Sequence, residues 1–96
     1  LATRKKAPNR AQVQPTTGPK RAFGQALREA RKSKGISQED LAEKSGLDRS
    51  FISLVERGIQ IPNIVVLLKL AEVLGVSAAD LIAKTEAAMG LEAPKE

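Results

Sequence analysis

The sequence predicts an all-α protein built from five short helices. Apolar residues recur at intervals of three and four between Ala22 and Met89, with no alternating stretch that a strand would need. Glycines at 35, 46, 58 and 75 fall just past successive segments of this kind, while Ser37, Asp48, Asn63 and Ser77 stand just before them. These residue types satisfy the unpaired backbone groups at helix ends, so the chain marks its own boundaries.

The first helix is expected over residues 22–34, with Phe23, Leu27 and Ala30 on one face and Gly35 as its stop. Ser37 then opens the second as an N-cap, with Asp40 three residues on in the pattern of a capping box. Leu41 and Ala42 supply its buried stripe and Gly46 ends it. Asp48 is expected to cap a third helix that runs to Arg57 and stops at Gly58. Asn63 caps an apolar fourth that ends before Gly75, and Ser77 with Asp80 opens a fifth that contains Leu81 and Ile82.

A chain of 96 residues with 42% apolar content and 2% aromatics is suited to one domain with a core of Leu, Ile, Val and Ala. It holds no Cys and no His, which removes disulfides, thiolate metal sites and the commonest general base. Glu39, Asp40 and Glu43 form the densest carboxylate cluster, but Asp40 is taken by the cap and the others are ordinary acids at a helix N-terminus. With no glycine-rich phosphate loop either, neither an enzyme nor a bound cofactor or metal is expected. No apolar run reaches about 18 residues and no signal peptide is recognisable, so no membrane partner is expected and the expected location is cytoplasmic.

The charge is uneven. Up to Arg21 the chain carries six basic residues (Arg4, Lys5, Lys6, Arg10, Lys20 and Arg21) and no acidic one; from Ala22 onward there are ten basic and eleven acidic side chains. The first segment also contains Pro8, Pro15, Gly18 and Pro19 and few large apolar residues. It is expected to be disordered, either as a solvated extension or as an arm on a polyanion, where each Lys or Arg on a phosphate would act through counterion release. The organisation read from the sequence is a flexible basic tail over 1–21, a helical domain over 22–90 and a short C-terminal tail over 91–96.

The third helix separates into two faces. At about 100° per residue, Phe51, Ile52 and Val55 fall on one side, and Arg49, Ser50, Ser53, Leu54 and Arg57 on the other. Counting from Gln38 as the first of a twenty-residue unit, Ala42 is fifth, Gly46 ninth, Ile52 fifteenth and Val55 eighteenth. A small residue in fifth place lets two helices cross closely, and glycine in ninth can take the positive φ of a tight turn. The last two close the core between the helices.

On these positions, residues 22–83 resemble the Cro and phage-repressor (XRE-type) family of helix-turn-helix proteins, through GISQEDLAEKSGLDRSFISLVERG and IPNIVVLLKLAEVLGVSAADLI. The resemblance implies a five-helix repressor-like DNA-binding domain, a repressor or controller of transcription that binds double-stranded DNA, usually as a homodimer on a palindromic operator. It would then be associated with the nucleoid when bound. By position, Gln38 would help hold the DNA backbone while Arg49, Ser50, Ser53 and Leu54 face base edges. Arg49 suits the paired acceptors of guanine, Ser50 suits base or phosphate, and Leu54 offers only an apolar surface for a thymine methyl. Lys44 and Arg57 are the phosphate contacts expected from the folded residues.

The same resemblance pairs Arg31 with Glu56 as a structural bridge. The carboxylate borders Ile52 at the core margin and needs such a partner. A dimer interface is expected through the fifth helix at Ile82, Thr85 and Met89, with Val65 and Val66 making the stretch from Ile64 to Leu68 apolar all round. Two alternatives stay open: an antitoxin or partner-controlled regulator in which another protein covers helices four and five, and an adaptor that does not bind DNA.

Overall fold

Backbone hydrogen bonding in the computed structural model, which describes residues 18–90, forms all five helices: α1 (Pro19–Lys34), α2 (Gln38–Ser45), α3 (Arg49–Glu56), α4 (Ile64–Leu74) and α5 (Ala78–Ala88). No strand occurs among the described residues. The first helix starts three residues before the expected Ala22. Pro19 occupies its first turn, where a missing N–H costs nothing and the fixed φ is already helical. Lys20 and Arg21 are therefore helical, and the expected tail is shortened at its inner end. Residues 1–17 and 91–96, on which the remaining tail expectations fall, lie outside the described residues.

The caps follow the residue chemistry with one exception. Ser37 and Asp40 make the full reciprocal box: the Ser37 N–H donates to Asp40 Oδ2 at 3.1 Å and the Asp40 N–H to Ser37 Oγ at 2.9 Å. The Ser37 backbone N–H, and then its hydroxyl, hold the Asp40 carboxyl below its ordinary pKa. This support for α2 is present above the usual carboxylate range and is lost as pH falls through the lowered value. Asn63 Oδ1 accepts from the Val66 N–H and Ser77 Oγ from the Asp80 N–H, each at 2.9 Å. Asp48 stands at the N-cap of α3, but its side chain caps no backbone group. Its carbonyl accepts from the N–H groups of Phe51 and Ile52, both at 3.1 Å, so the helix starts on backbone bonds alone.

Between α2 and α3 the turn is three residues long, and Gly46 takes φ 73° and ψ 22°, the left-handed conformation that ends α2. The core gathers Phe23 and Leu27 from α1, Leu41 and Ala42 from α2, Ile52 and Val55 from α3, Leu67, Leu70, Ala71 and Leu74 from α4, and Leu81 from α5. Burial of each large side chain is worth about 1.5–3 kcal/mol. Within this arrangement α3 packs on both α1 and α2, which leaves its opposite face free, while α5 lies along α1.

The crossing of α1 over α3 depends on Gly24. A Cβ there would overlap the carbonyl oxygen of Val55 and lie 2.7 Å from that of Glu56, so the helices meet backbone to backbone. Gly24→Ala should destabilise the protein by about 1–3 kcal/mol through overpacking, lowering the melting temperature by several degrees. Gln25→Ala on the exposed side of the same helix should leave it near the wild-type value in thermal melts followed by circular dichroism.

Candidate nucleic-acid interface

The free face of α3 carries Arg49 and Ser50, both exposed at its first turn, and Ser53 and Leu54, both half-buried; Arg57 is exposed at the C-cap. The expected separation of faces therefore holds, with Ile52 and Val55 fully buried behind them. Leu54 is tied into the following loop by its backbone, since its carbonyl accepts from the N–H groups of Ile59 at 2.9 Å and Gln60 at 3.3 Å. Lys44 is exposed on the last turn of α2, one helical turn from Asp40.

Behind this face lies a chain of polar contacts. Arg31 Nε donates to Glu56 Oε2 at 2.6 Å and Arg31 Nη2 to Glu56 Oε1 at 3.0 Å, the bidentate pairing expected. The Glu56 side chain is only 2% exposed. Arg31 Nη1 donates to the Ile36 carbonyl at 2.9 Å, so the guanidinium also closes the turn between α1 and α2. Its hydrogen bond to Glu56 raises the Arg31 pKa above its ordinary value against the opposing effect of burial, and the charge of Glu56 adds to the rise.

Gln38 was expected on the DNA backbone, and the structure commits its amide to the protein itself. Its Nε2 donates to Glu56 Oε1 at 3.0 Å, and its Oε1 accepts from Arg49 Nη1 at 3.4 Å. A continuous path therefore runs from buried Arg31 on α1, through Glu56 on α3 and Gln38 on α2, to the exposed guanidinium of Arg49. Sequence reasoning missed the two links through Gln38. They join residues 18 and 11 positions apart across a turn, and no local spacing signals them.

The expected dimer residues do not share one exposed face. Ile82 is exposed and Met89 half-buried, but Thr85 is buried within the protomer, its hydroxyl donating to the Leu81 carbonyl at 2.7 Å. Thr85 follows core residue Leu81 by four positions and so shares its inward face. A larger apolar surface stands on α4, where Ile64, Val65 and Leu68 are 66%, 66% and 54% exposed; Ile59 and Ile61 are exposed in the preceding loop. Val66, expected with this group, instead packs half-buried against the core.

This geometry, a short turn joining two helices of which the second is backed by a buried ion pair, agrees with the helix-turn-helix family, whose model matches residues 27–81. The chain belongs to this family. It is an XRE-type DNA-binding transcriptional regulator. Among its relatives, the uncharacterised HTH-type transcriptional regulator y4dJ of Sinorhizobium fredii is 33% identical over 67 residues, 70% of this chain and 87% of that protein. The HTH-type transcriptional regulator SinR of Bacillus subtilis is 43% identical over 61 residues, 62% of this chain and 55% of SinR. A crystal structure of SinR in complex with DNA superimposes with a TM-score of 0.60 at 43% identity, covering 62% of this chain and 97% of that one. The restriction-modification controller protein C.AhdI of Aeromonas hydrophila gives 0.62 at 51% identity, covering 64% of this chain and 92% of its own. No helix among the described residues is long and apolar enough to cross a membrane.

Removing one partner of the buried pair should be the most damaging change behind the reading face. Glu56→Ala leaves the Arg31 guanidinium buried without its carboxylate, which should cost about 3–5 kcal/mol. Arg49→Ala, on the surface, should stay within about 0.5 kcal/mol of wild type. Thermal or urea unfolding of the two variants compares them directly.

Proposed function

We propose that this regulator binds a palindromic operator as a homodimer and acts as a repressor or controller, with α3 in the major groove of each half-site. The observation that carries this reading is the tethering of Arg49. Its guanidinium is exposed at the first turn of α3 and donates to Gln38 at 3.4 Å, and Gln38 is itself bonded to the buried Arg31–Glu56 pair. An arginine ordered before binding loses less freedom when it places two parallel hydrogen bonds on guanine O6 and N7. Ser50 and Ser53 add adaptable donors beside it, and Leu54 offers its exposed part to a thymine methyl. Lys44 and Arg57 flank this face as phosphate contacts.

The size of the reading face and the surface of α4 support dimerisation. Eight residues of helix reach only a few base pairs, so useful discrimination needs a second copy about one helical turn of DNA away. Ile64, Val65 and Leu68 form an exposed apolar stripe with no charged residue in the first turn of α4, the kind of surface that a self-complementary contact buries. Ile82 of α5 and Met89 at its C-cap are the remaining candidates for that contact; Thr85 is not, because its hydroxyl and its packing are used inside the protomer.

Selection from a random duplex library should yield a two-fold symmetric consensus. Arg49→Ala should relax preference at one position in each half-site by roughly 1–3 kcal/mol, and Gln38→Ala should weaken the same position to a smaller degree. A consensus without symmetry, or one unchanged by Arg49→Ala, would remove the basis of this reading. Val65→Glu combined with Leu68→Glu should shift sedimentation toward monomer and weaken operator binding, with helical content retained.

A further inference from the structure

The expected basic tail ends in residues that the structure makes part of the folded domain, and one of them sits against the reading helix. Gly58, directly after the C-cap residue Arg57, has φ +80° and no side chain. A Cβ on it would lie 3.0 Å from Arg21 Cα and 3.4 Å from Arg21 Cβ, so the Arg21 side chain begins at the surface of Gly58. Arg21 is the lowest of three levels at which α1 holds the C-terminal end of α3. Gly24 meets the carbonyls of Val55 and Glu56 one turn on, and Arg31 grips the Glu56 carboxylate above that. Both Arg21 and Arg57 are exposed, and neither is ion-paired among the described residues.

We propose that Arg21 and Arg57 form a fixed cationic pair that binds the DNA phosphate backbone at the C-terminal edge of α3. This rests on the DNA-binding reading of α3 and adds to it a residue outside the helix-turn-helix unit. Two arginines rooted on adjoining backbone, neither ion-paired among the described residues, make a local excess of positive charge that a polyanion neutralises. Their distance from the base-reading end suits the backbone. Eight residues at 1.5 Å each separate the two ends of α3 by about 12 Å, close to the roughly 12 Å width of the major groove. With Arg49 at the base edges, the opposite end of the helix stands at the flanking phosphates. The roots of the two side chains are fixed by helix packing, so only their outer bonds need ordering on contact.

The test is the salt dependence of binding to the selected operator, measured by fluorescence anisotropy. Arg21→Ala should lower the slope of log K against log salt by about 0.9 per subunit bound, weaken all duplex sequences alike and leave the consensus unchanged. Arg21→Lys should restore most of the slope, and Lys84→Ala on α5 should not alter it. The melting temperature should stay at the wild-type value, because the approach to Gly58 is made by Cα and Cβ, which alanine keeps. A slope equal to wild type in Arg21→Ala, an equal loss in Lys84→Ala, or an altered consensus would each overturn the pair while leaving the regulator reading intact. Wild-type protein that shows no sequence preference at any salt would overturn the regulator reading and the pair with it.

Discussion

The carboxylate of Glu56 is the constraint on which the rest of the molecule depends. It lies almost fully out of water and accepts hydrogen bonds from Arg31 of α1 and Gln38 of α2, while its own backbone belongs to α3. An ion pair this deep is costly to desolvate and is weak as a source of stability when compared with well-packed apolar side chains. Its effect here is geometric. Three helices must hold one relative orientation for all of these bonds to form, and no buried side-chain nitrogen or oxygen among the described residues is left without a partner. The angle at which α3 presents its free face is set by that orientation.

Around this point the packing is graded from rigid to adaptable. Behind α3, the backbone contacts at Gly24 and Gly58 admit no methyl group without displacement, and Ile52 and Val55 are fully buried. At the middle of its free face Ser53 and Leu54 are half-buried, and at its two ends Arg49 and Arg57 reach into solvent. Such an order suits a surface that must find its target in one orientation and then adjust side chains to a particular sequence. It also divides the labour by charge: apolar packing and the buried, internally neutralised Arg31–Glu56 pair hold the fold, and the unpaired cations are at the surface.

Much of the fold was legible because the signals for it are local. Ser37, Asp40, Asn63 and Ser77 cap helices through bonds to residues three positions away, and Gly46 takes the left-handed turn that its place in the twenty-residue unit requires. Arg31 and Glu56 were legible by resemblance, since the pairing spans 25 residues and no spacing rule reaches that far. The failures are instructive for the same reason. Pro19 was counted with the tail because composition does not reveal that it stands in the first turn of a helix. Asp48 looked like a cap, but backbone bonds alone start α3. Thr85 looked like part of an outer stripe, but it lies one turn beyond core residue Leu81 and is buried with it.

By itself, the sequence determined the number and order of the helices, the two faces of the third and the residue types available to read a base edge. Tertiary structure alone decided how that face is held. It placed Gln38 between Glu56 and Arg49 and brought the first turn of α1 to the end of the reading helix at Gly58. It also took Thr85 and Val66 out of the expected apolar surfaces and left Ile64, Val65 and Leu68 of α4 as the more exposed one. The reason is physical: helix ends and helix faces follow from interactions within four residues, whereas the approach of one helix to another is set by which pairs of backbones can come together without a side chain between them.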